Sequence, residues 1–369
     1  LDLIEKLTPI YVTKPVLPPL EEFVEGLEKI WESRVLTNMG PYHQLLEEQL
    51  REYLDVPYLS LFSNATLALY TALKVLNLDN SEIITTPFSF PATSNVIRLV
   101  NSKPVFADII YKDCCINPKY IKSNISIYTK AIMPVHVYGN WCDYESISKL
   151  SKKHNLKVIY DAAHAFAPSN EILKYGDLSV ISFHATKIFN TLEGGAIISH
   201  SKEMKERIDR FRNSGISSED SIPDVGINAK MNEIQALIGV LNLKNIDSVI
   251  EARRSITNYY NNFFSSLLKS SNCSYYPIIV DKRQDLVDEL SKEQIFARKY
   301  FYPLISNLPQ YRSTPSAFPS KLPVANAIAE QVLCLPLYPE LHRYDQCRVI
   351  DIVSRYIFRK QITSPSHDA

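Results

Sequence analysis

Between residues 58 and 199 the chain alternates short apolar runs with amphipathic ones, and this alternation limits its fold more than any other feature. Leu59–Phe62, Glu82–Thr85, Pro104–Ala107, Ala131–Val137, Lys157–Tyr160, Leu178–Phe183 and Ala196–Ser199 read as strands, with helical patterns at Leu67–Leu76, Thr93–Leu99 and Tyr144–His154 between them. Strands that are apolar on both sides need cover on both faces, so the pattern predicts an α/β fold around a parallel sheet. Upstream, residues 19–33 put Leu20, Phe23, Leu27, Ile30 and Trp31 on one helical face. Asn38-Met39-Gly40-Pro41 then breaks the chain, and Tyr42–Tyr53 reads as a second helix. After about residue 230 the texture changes to long helical patterns, Met231–Leu243 and Ile246–Leu268. In the second, Val249, Ile250, Ile256, Tyr260, Phe263, Phe264 and Leu267 recur at helical spacing. The division that follows is an N-terminal segment (1–35) packing on the body, a large domain (36–245) and a smaller C-terminal α/β domain (246–369).

Composition removes several function classes. With 40 basic against 40 acidic side chains, no chain-wide electrostatic grip on nucleic acid is available. The densest basic stretch (Lys202, Lys205, Arg207, Arg210, Arg212) is interleaved with Glu203, Glu206 and Asp209, as on a solvated helix face. No apolar run is long enough to span a membrane, and LDLIEKLTPI lacks the apolar stretch of a secretory signal. The six cysteines include no CxxC pair, which speaks against a structural zinc or other metal site and for reduced thiols in a cytoplasmic protein.

In an open parallel sheet, ligands sit beyond the carboxyl ends of the strands, and four loops at such ends are unusual. Ser63-Asn64-Ala65-Thr66 presents free backbone N–H groups at a helix start, a phosphate cradle or a plain N-cap. Phe88-Ser89-Phe90-Pro91-Ala92-Thr93 offers an aromatic for a flat ligand or for the core. Asp161-Ala162-Ala163-His164 places a carboxylate at a strand end, facing a site or capping the next turn. Ser182-Phe183-His184-Ala185-Thr186-Lys187, followed by Glu193-Gly194-Gly195, carries one lysine, either a surface residue or a covalent catalyst. Taken together they supply a phosphate site, an acid, an aromatic lid and a lysine, the inventory that pyridoxal phosphate requires.

These segments resemble the DegT/DnrJ/StrS sugar-nucleotide aminotransferases. The resemblance runs in order from about Pro9 to Tyr356, through Asn38–Pro41, Ser63–Thr66, Pro134–Gly139, Asp161–His164, Ser182–Lys187, Glu193–Gly195 and Gly226–Asn232. It implies the type I fold of aspartate-aminotransferase-like enzymes, with a mainly parallel seven-stranded sheet and a smaller C-terminal domain. It further implies that Lys187 links covalently to pyridoxal phosphate and later serves as acid and base. Asp161 pairs with the pyridinium nitrogen, while Phe90 and Ala163 lie on the two ring faces. The N–H groups of Ala65 and Thr66 and the Ser182 hydroxyl hold the phosphate, and Asn228 arrives from the neighbouring subunit of a homodimer. His164 stands where many members carry Gln, and its protonation is a means of tuning the cofactor. Asn38, Tyr138 and His184 are candidates for lining the sugar-nucleotide pocket.

Related sugar dehydratases carry His where this chain has Lys187, so transamination is the implied reaction, with the pyridoxamine form arising during turnover. L-glutamate would donate the amino group and leave as 2-oxoglutarate. The acceptor would be a dTDP-linked keto sugar, aminated at C4 of dTDP-4-keto-6-deoxy-D-glucose, in deoxyamino-sugar biosynthesis for an O-antigen or other surface polysaccharide. Amination at C3, a UDP-linked sugar, and a non-catalytic regulatory relative are the alternatives.

Overall fold

The computed structural model describes residues 8–167, 171–264 and 268–363. Its strands are β1 (Ile10–Tyr11), β2 (Tyr58–Phe62), β3 (Glu82–Thr85), β4 (Lys103–Phe106), β5 (Thr129–Met133), β6 (Lys157–Asp161), β7 (Leu178–Ser182), β8 (Gly195–Ser199), β9 (Tyr276–Ile279), β10 (Ile295–Phe296) and β11 (Val332–Leu335). The helices that matter here are α1 (Leu20–Ser33), α2 (Pro41–Tyr53), α3 (Ala65–Val75), α4 (Ala92–Leu99), α5 (Pro118–Asn124), α6 (Tyr144–His154), α7 (Lys202–Arg212), α8 (Glu233–Lys244), α9 (Ile246–Asn261), α10 (Arg283–Lys292), α11 (Pro323–Gln331) and α12 (Arg343–Thr363).

Seven strands form the central sheet in the order β2-β8-β7-β6-β5-β3-β4. Only β8 runs against its neighbours, β2 and β7. Every residue of β7 and β8 is buried, as strands covered on both faces must be. The local chemistry sets the helix starts. Asn64 accepts the Leu67 N–H at the head of α3, Asp143 caps α6, and Asn232 with Gln235 forms a capping box on α8.

Three sequence expectations change. The strand foreseen over Ala131–Val137 stops at Met133, because Pro134 has no N–H for the ladder, and Val137–Gly139 winds into a 3₁₀ turn. The helix expected over Ile246–Leu268 ends at Asn261, and Leu267 lies outside the described residues. The basic stretch does form a helix, α7, but Arg212 at its end is buried, donating to the Leu61 carbonyl and pairing with Asp209 at 2.8 Å.

Helix α1 packs on α8 through Ile30, Leu237 and Leu241, with Phe23 and Leu27 alongside. Gly26 faces Leu237 so closely that a Cβ there would lie 2.4 Å from its Cδ1. Ahead of α1, β1 pairs in parallel with β10, so the N-terminal segment also joins the C-terminal unit. That unit contains the antiparallel pair β9–β11. It shares a core with the sheet domain in which Phe88, Phe106 and Tyr138 meet Phe301, Leu304, Ala325 and Cys334.

A second tie is polar. Fully buried Asp108, beyond β4, accepts the Val324 and Ala325 N–H groups of α11, each at 2.9 Å. Replacing Asp108 with Ala leaves a buried donor on Ala325 and a half-buried one on Val324 without this acceptor. We expect a loss of about 2–3 kcal/mol, read as a lower urea midpoint; an unchanged midpoint would show that α11 docks without this carboxylate.

Candidate active site

Sheet register assembles the site. In one row across three strands, Phe62 of β2 pairs with Gly195 of β8, which pairs with Ser182 of β7. Gly195 has to be glycine: a Cβ there would stand 2.8 Å from the Ala65 N and Cα. The head of α3 therefore lies directly over the sheet, and the N–H groups of Ala65 and Thr66 open beside the end of β7. Ser182 is buried, and its Oγ accepts the His184 N–H at 3.3 Å.

On the next strand, β6 ends in Asp161, which is 4% exposed. Its Oδ2 accepts the Thr93 hydroxyl at 2.8 Å and its Oδ1 the Ala163 N–H at 3.2 Å. Thr93 in turn meets the Ser89 hydroxyl at 2.9 Å. Burial pushes the Asp161 carboxyl up, while the Thr93 and Ala163 donors and the charge of Lys187 pull it down. The turn that supplies Thr93 also presents Phe90, which is 63% exposed beside this buried acid. An aromatic left in solvent at such a place is available to a ligand.

Lys187 rides on a closed loop. The Phe183 N–H bonds to the Gly194 carbonyl and the Thr191 N–H to the Phe183 carbonyl, each at 2.9 Å. Phe189 anchors the loop by stacking on Phe166, ring centroids 4.9 Å apart. Burial pulls the Lys187 amine down to about 8, against the opposing attraction of Asp161. Its Nζ donates to the Tyr275 hydroxyl at 3.2 Å.

His164 is buried, and its ring lies parallel to Phe301 with centroids 5.7 Å apart. Its Nδ1 has no partner among the described residues. Burial, helped by the Lys187 charge, holds the imidazole well below its usual range. This shift favours the neutral ring and so opposes the expectation that its protonation tunes the cofactor.

The remaining sequence candidates fall out unequally. Asn228 bridges to Asn213, and its neighbour Ala229 accepts the Ser63 N–H at 2.9 Å, so it stands close to the α3 head of its own chain. His184 is exposed at the loop, bonded to Thr186 Oγ1 at 2.8 Å and 3.5 Å from Glu193. Asn38 is exposed, with φ 61°, ahead of α2. Tyr138 is a correction: it is fully buried, its hydroxyl donates to the Tyr300 carbonyl, and its ring lies behind Tyr275 rather than along a pocket wall. Sequence reasoning gave no role to Thr93, Tyr275 or Phe301, whose parts depend on long-range contacts. Only the place of Thr93 at the head of α4, just after the β3 loop, hinted at its part.

A buried carboxylate fed by donors, a lysine of lowered basicity, an orphaned imidazole nitrogen, an exposed aromatic and a helix head fit the polar and flat parts of pyridoxal phosphate. Because only the neutral amine attacks an aldehyde, capture of pyridoxal phosphate by the cofactor-free protein should slow about tenfold per pH unit below about pH 8 and level off above it. A rate flat from pH 6 to 9 would mean that Lys187 is not depressed. Thr93→Val, which removes one donor from Asp161, should weaken cofactor retention about tenfold in equilibrium dialysis; unaltered retention would show that the hydroxyl is dispensable.

Comparison with known proteins shows the family. The model of the DegT/DnrJ/EryC1/StrS aminotransferase family matches residues 20–354. A dTDP-4-amino-4,6-dideoxy-D-glucose transaminase of Shigella dysenteriae is 46% identical over 351 residues, covering 90% of this chain and 95% of that protein. One of Escherichia coli with the same description is 45% identical over 352 residues, covering 90% and 95%. Among solved structures, DesI in the presence of its TDP-sugar product superposes with a TM-score of 0.88 at 28% identity, covering 96% of each chain.

Proposed function

We propose, from the premise that this chain belongs to the DegT/DnrJ/EryC1/StrS aminotransferase family, that it transfers an amino group from L-glutamate to C4 of dTDP-4-keto-6-deoxy-D-glucose. The observation that carries the reading is buried Asp161 at the end of β6 beside half-buried Lys187 on the loop after the adjacent β7, with the α3 head close by. The two transaminases at 45% and 46% identity support C4 and dTDP over C3 or a UDP-linked sugar.

Pyridoxal phosphate is the cofactor of this reading, and when bound it supplies an electron sink conjugated to the reacting amino group. Asp161 would keep a proton on the pyridine nitrogen, and its Thr93 and Ala163 donors oppose the burial that pushes its own carboxyl up. The N–H groups of Ala65 and Thr66 and the Ser182 hydroxyl bind the phosphate, where the α3 dipole favours negative charge. Phe90 and Ala163 confine the ring from its two faces. His164, neutral and with a free Nδ1, meets the ring hydroxyl. Lys187 holds the cofactor covalently between turnovers. When free, its amine would take and return the proton at the reacting carbon of the substrate, a task suited to a basicity of about 8. His184 orients the sugar nucleotide at the mouth.

A homodimer belongs to the same proposal, with Asn228 reaching the partner's site. Exposed Leu20, Val24 and Trp31 on α1 support it, as do exposed Leu36, whose carbonyl accepts the Glu233 N–H, and Ile234, the residue after Glu233. Among the described residues no helix is long and apolar enough to cross a membrane. The six free cysteines fit a cytoplasmic setting. Supply of an amino sugar to an O-antigen or similar glycan completes the reading.

The test is the visible spectrum of the loaded protein. The lysine-linked cofactor band should bleach with L-glutamate and be missing in Lys187→Ala, and the bleached protein should then aminate the dTDP-4-keto sugar at C4. A band indifferent to every amino donor would overturn the transaminase reading. Equal turnover of a UDP-linked or 3-keto sugar would overturn the substrate.

A further inference from the structure

The segment Asn272–Tyr275 leaves the C-terminal unit and grips both catalytic loops. Asn272 Nδ2 donates to the His164 and Phe166 carbonyls at 2.7 and 3.1 Å, and Ser274 Oγ donates to the His164 carbonyl at 3.1 Å. Asn272 is itself wedged against Gly139, where a Cβ would lie 2.2 Å from its Oδ1. At the end of this grip Tyr275 receives the Lys187 Nζ at 3.2 Å. Its ring is packed edge-on or tilted against three others: His164 at 5.0 Å, Tyr300 at 5.4 Å and Tyr138 at 5.5 Å. The Tyr138 hydroxyl, bonded to the Tyr300 carbonyl, locks that surround.

Such a phenol is held far more rigidly than the lysine it touches. Lys187 has a flexible stem and, on the reading above, is alternately bound and released. Each release costs the amine its fixed position unless another group receives it. Tyr275 lies within hydrogen-bond distance, and burial raises its own pKa, so it stays a neutral acceptor throughout the working range.

We infer that Tyr275 is a positioning residue for the reaction: it receives the Lys187 amine whenever that amine is free and holds it beside the carbon whose proton it must move. The C-terminal unit thereby takes part in catalysis through one hydroxyl. This inference rests on the reading of Lys187 as the reacting lysine. Because an oxygen acceptor favours the charged amine over the neutral one, its loss also lowers the basicity of Lys187 further.

The experiment compares the pyridoxal-phosphate-loaded wild type with Tyr275→Phe and Tyr275→Ala. Phe keeps the ring contacts and removes only the hydroxyl, whereas Ala removes both. For Tyr275→Phe we expect a normal cofactor band and thermal midpoint, and a KM for L-glutamate within about twofold of wild type. We expect kcat to fall about tenfold, with the pH dependence of cofactor capture displaced to lower pH. A Tyr275→Phe protein that matches wild type in kcat and pH profile, while Tyr275→Ala is impaired and less stable, would assign the ring a packing role only and overturn the inference. A wild type with no lysine-linked band would overturn the reading of Lys187 and this inference with it; a normal wild-type band with an unaffected Phe variant would overturn this inference alone.

Discussion

A buried carboxylate at the end of β6 and a half-buried amine on the loop after the neighbouring β7 organise this molecule. A carboxylate with the burial of Asp161 tends to protonate, and an amine placed like Lys187 tends to lose its proton. The structure answers the first tendency with donors, a hydroxyl from α4 and a backbone N–H from the turn after β6. It leaves the second largely unopposed, so the lysine retains reactivity. Much of the surrounding architecture serves that asymmetry. Gly195 lets the α3 head lie over the sheet, the aromatic anchor of Phe189 holds the lysine loop, and the C-terminal unit closes over it through Tyr275.

The large-domain scaffold was legible in the sequence because a buried strand and an amphipathic helix have different periods. Glu82–Thr85 and Tyr144–His154 appear with the bounds their residues predict, and Asp161 and Lys187 could be picked out because they interrupt or follow apolar runs. The reversed direction of β8 was not legible: a strand buried on both faces reads the same whichever way it runs. Pro134 was the missed signal inside Ala131–Val137, since a residue without an N–H ends a ladder whatever its neighbours.

The site was legible by halves. Residues at or just after a strand end, such as Asp161 and Lys187, were singled out from local pattern. Those whose part depends on meeting a distant segment were not. Tyr275 touches a lysine 88 positions away, and Asp108 caps a helix 216 positions away. Tyr138 shows the converse, because an aromatic after a strand has the same sequence signature whether it faces a ligand or a core; here the neighbours from the C-terminal unit decide for the core.

On the proposed reading one particular amine, Lys187, is the covalent anchor. Borohydride reduction of the pyridoxal-phosphate-loaded protein, followed by proteolysis and mass spectrometry, tests it most directly. The account predicts one reduced adduct, on the peptide containing Lys187, and none after prior treatment with L-glutamate. An adduct on another lysine, or a label spread over surface lysines and indifferent to glutamate, would contradict it.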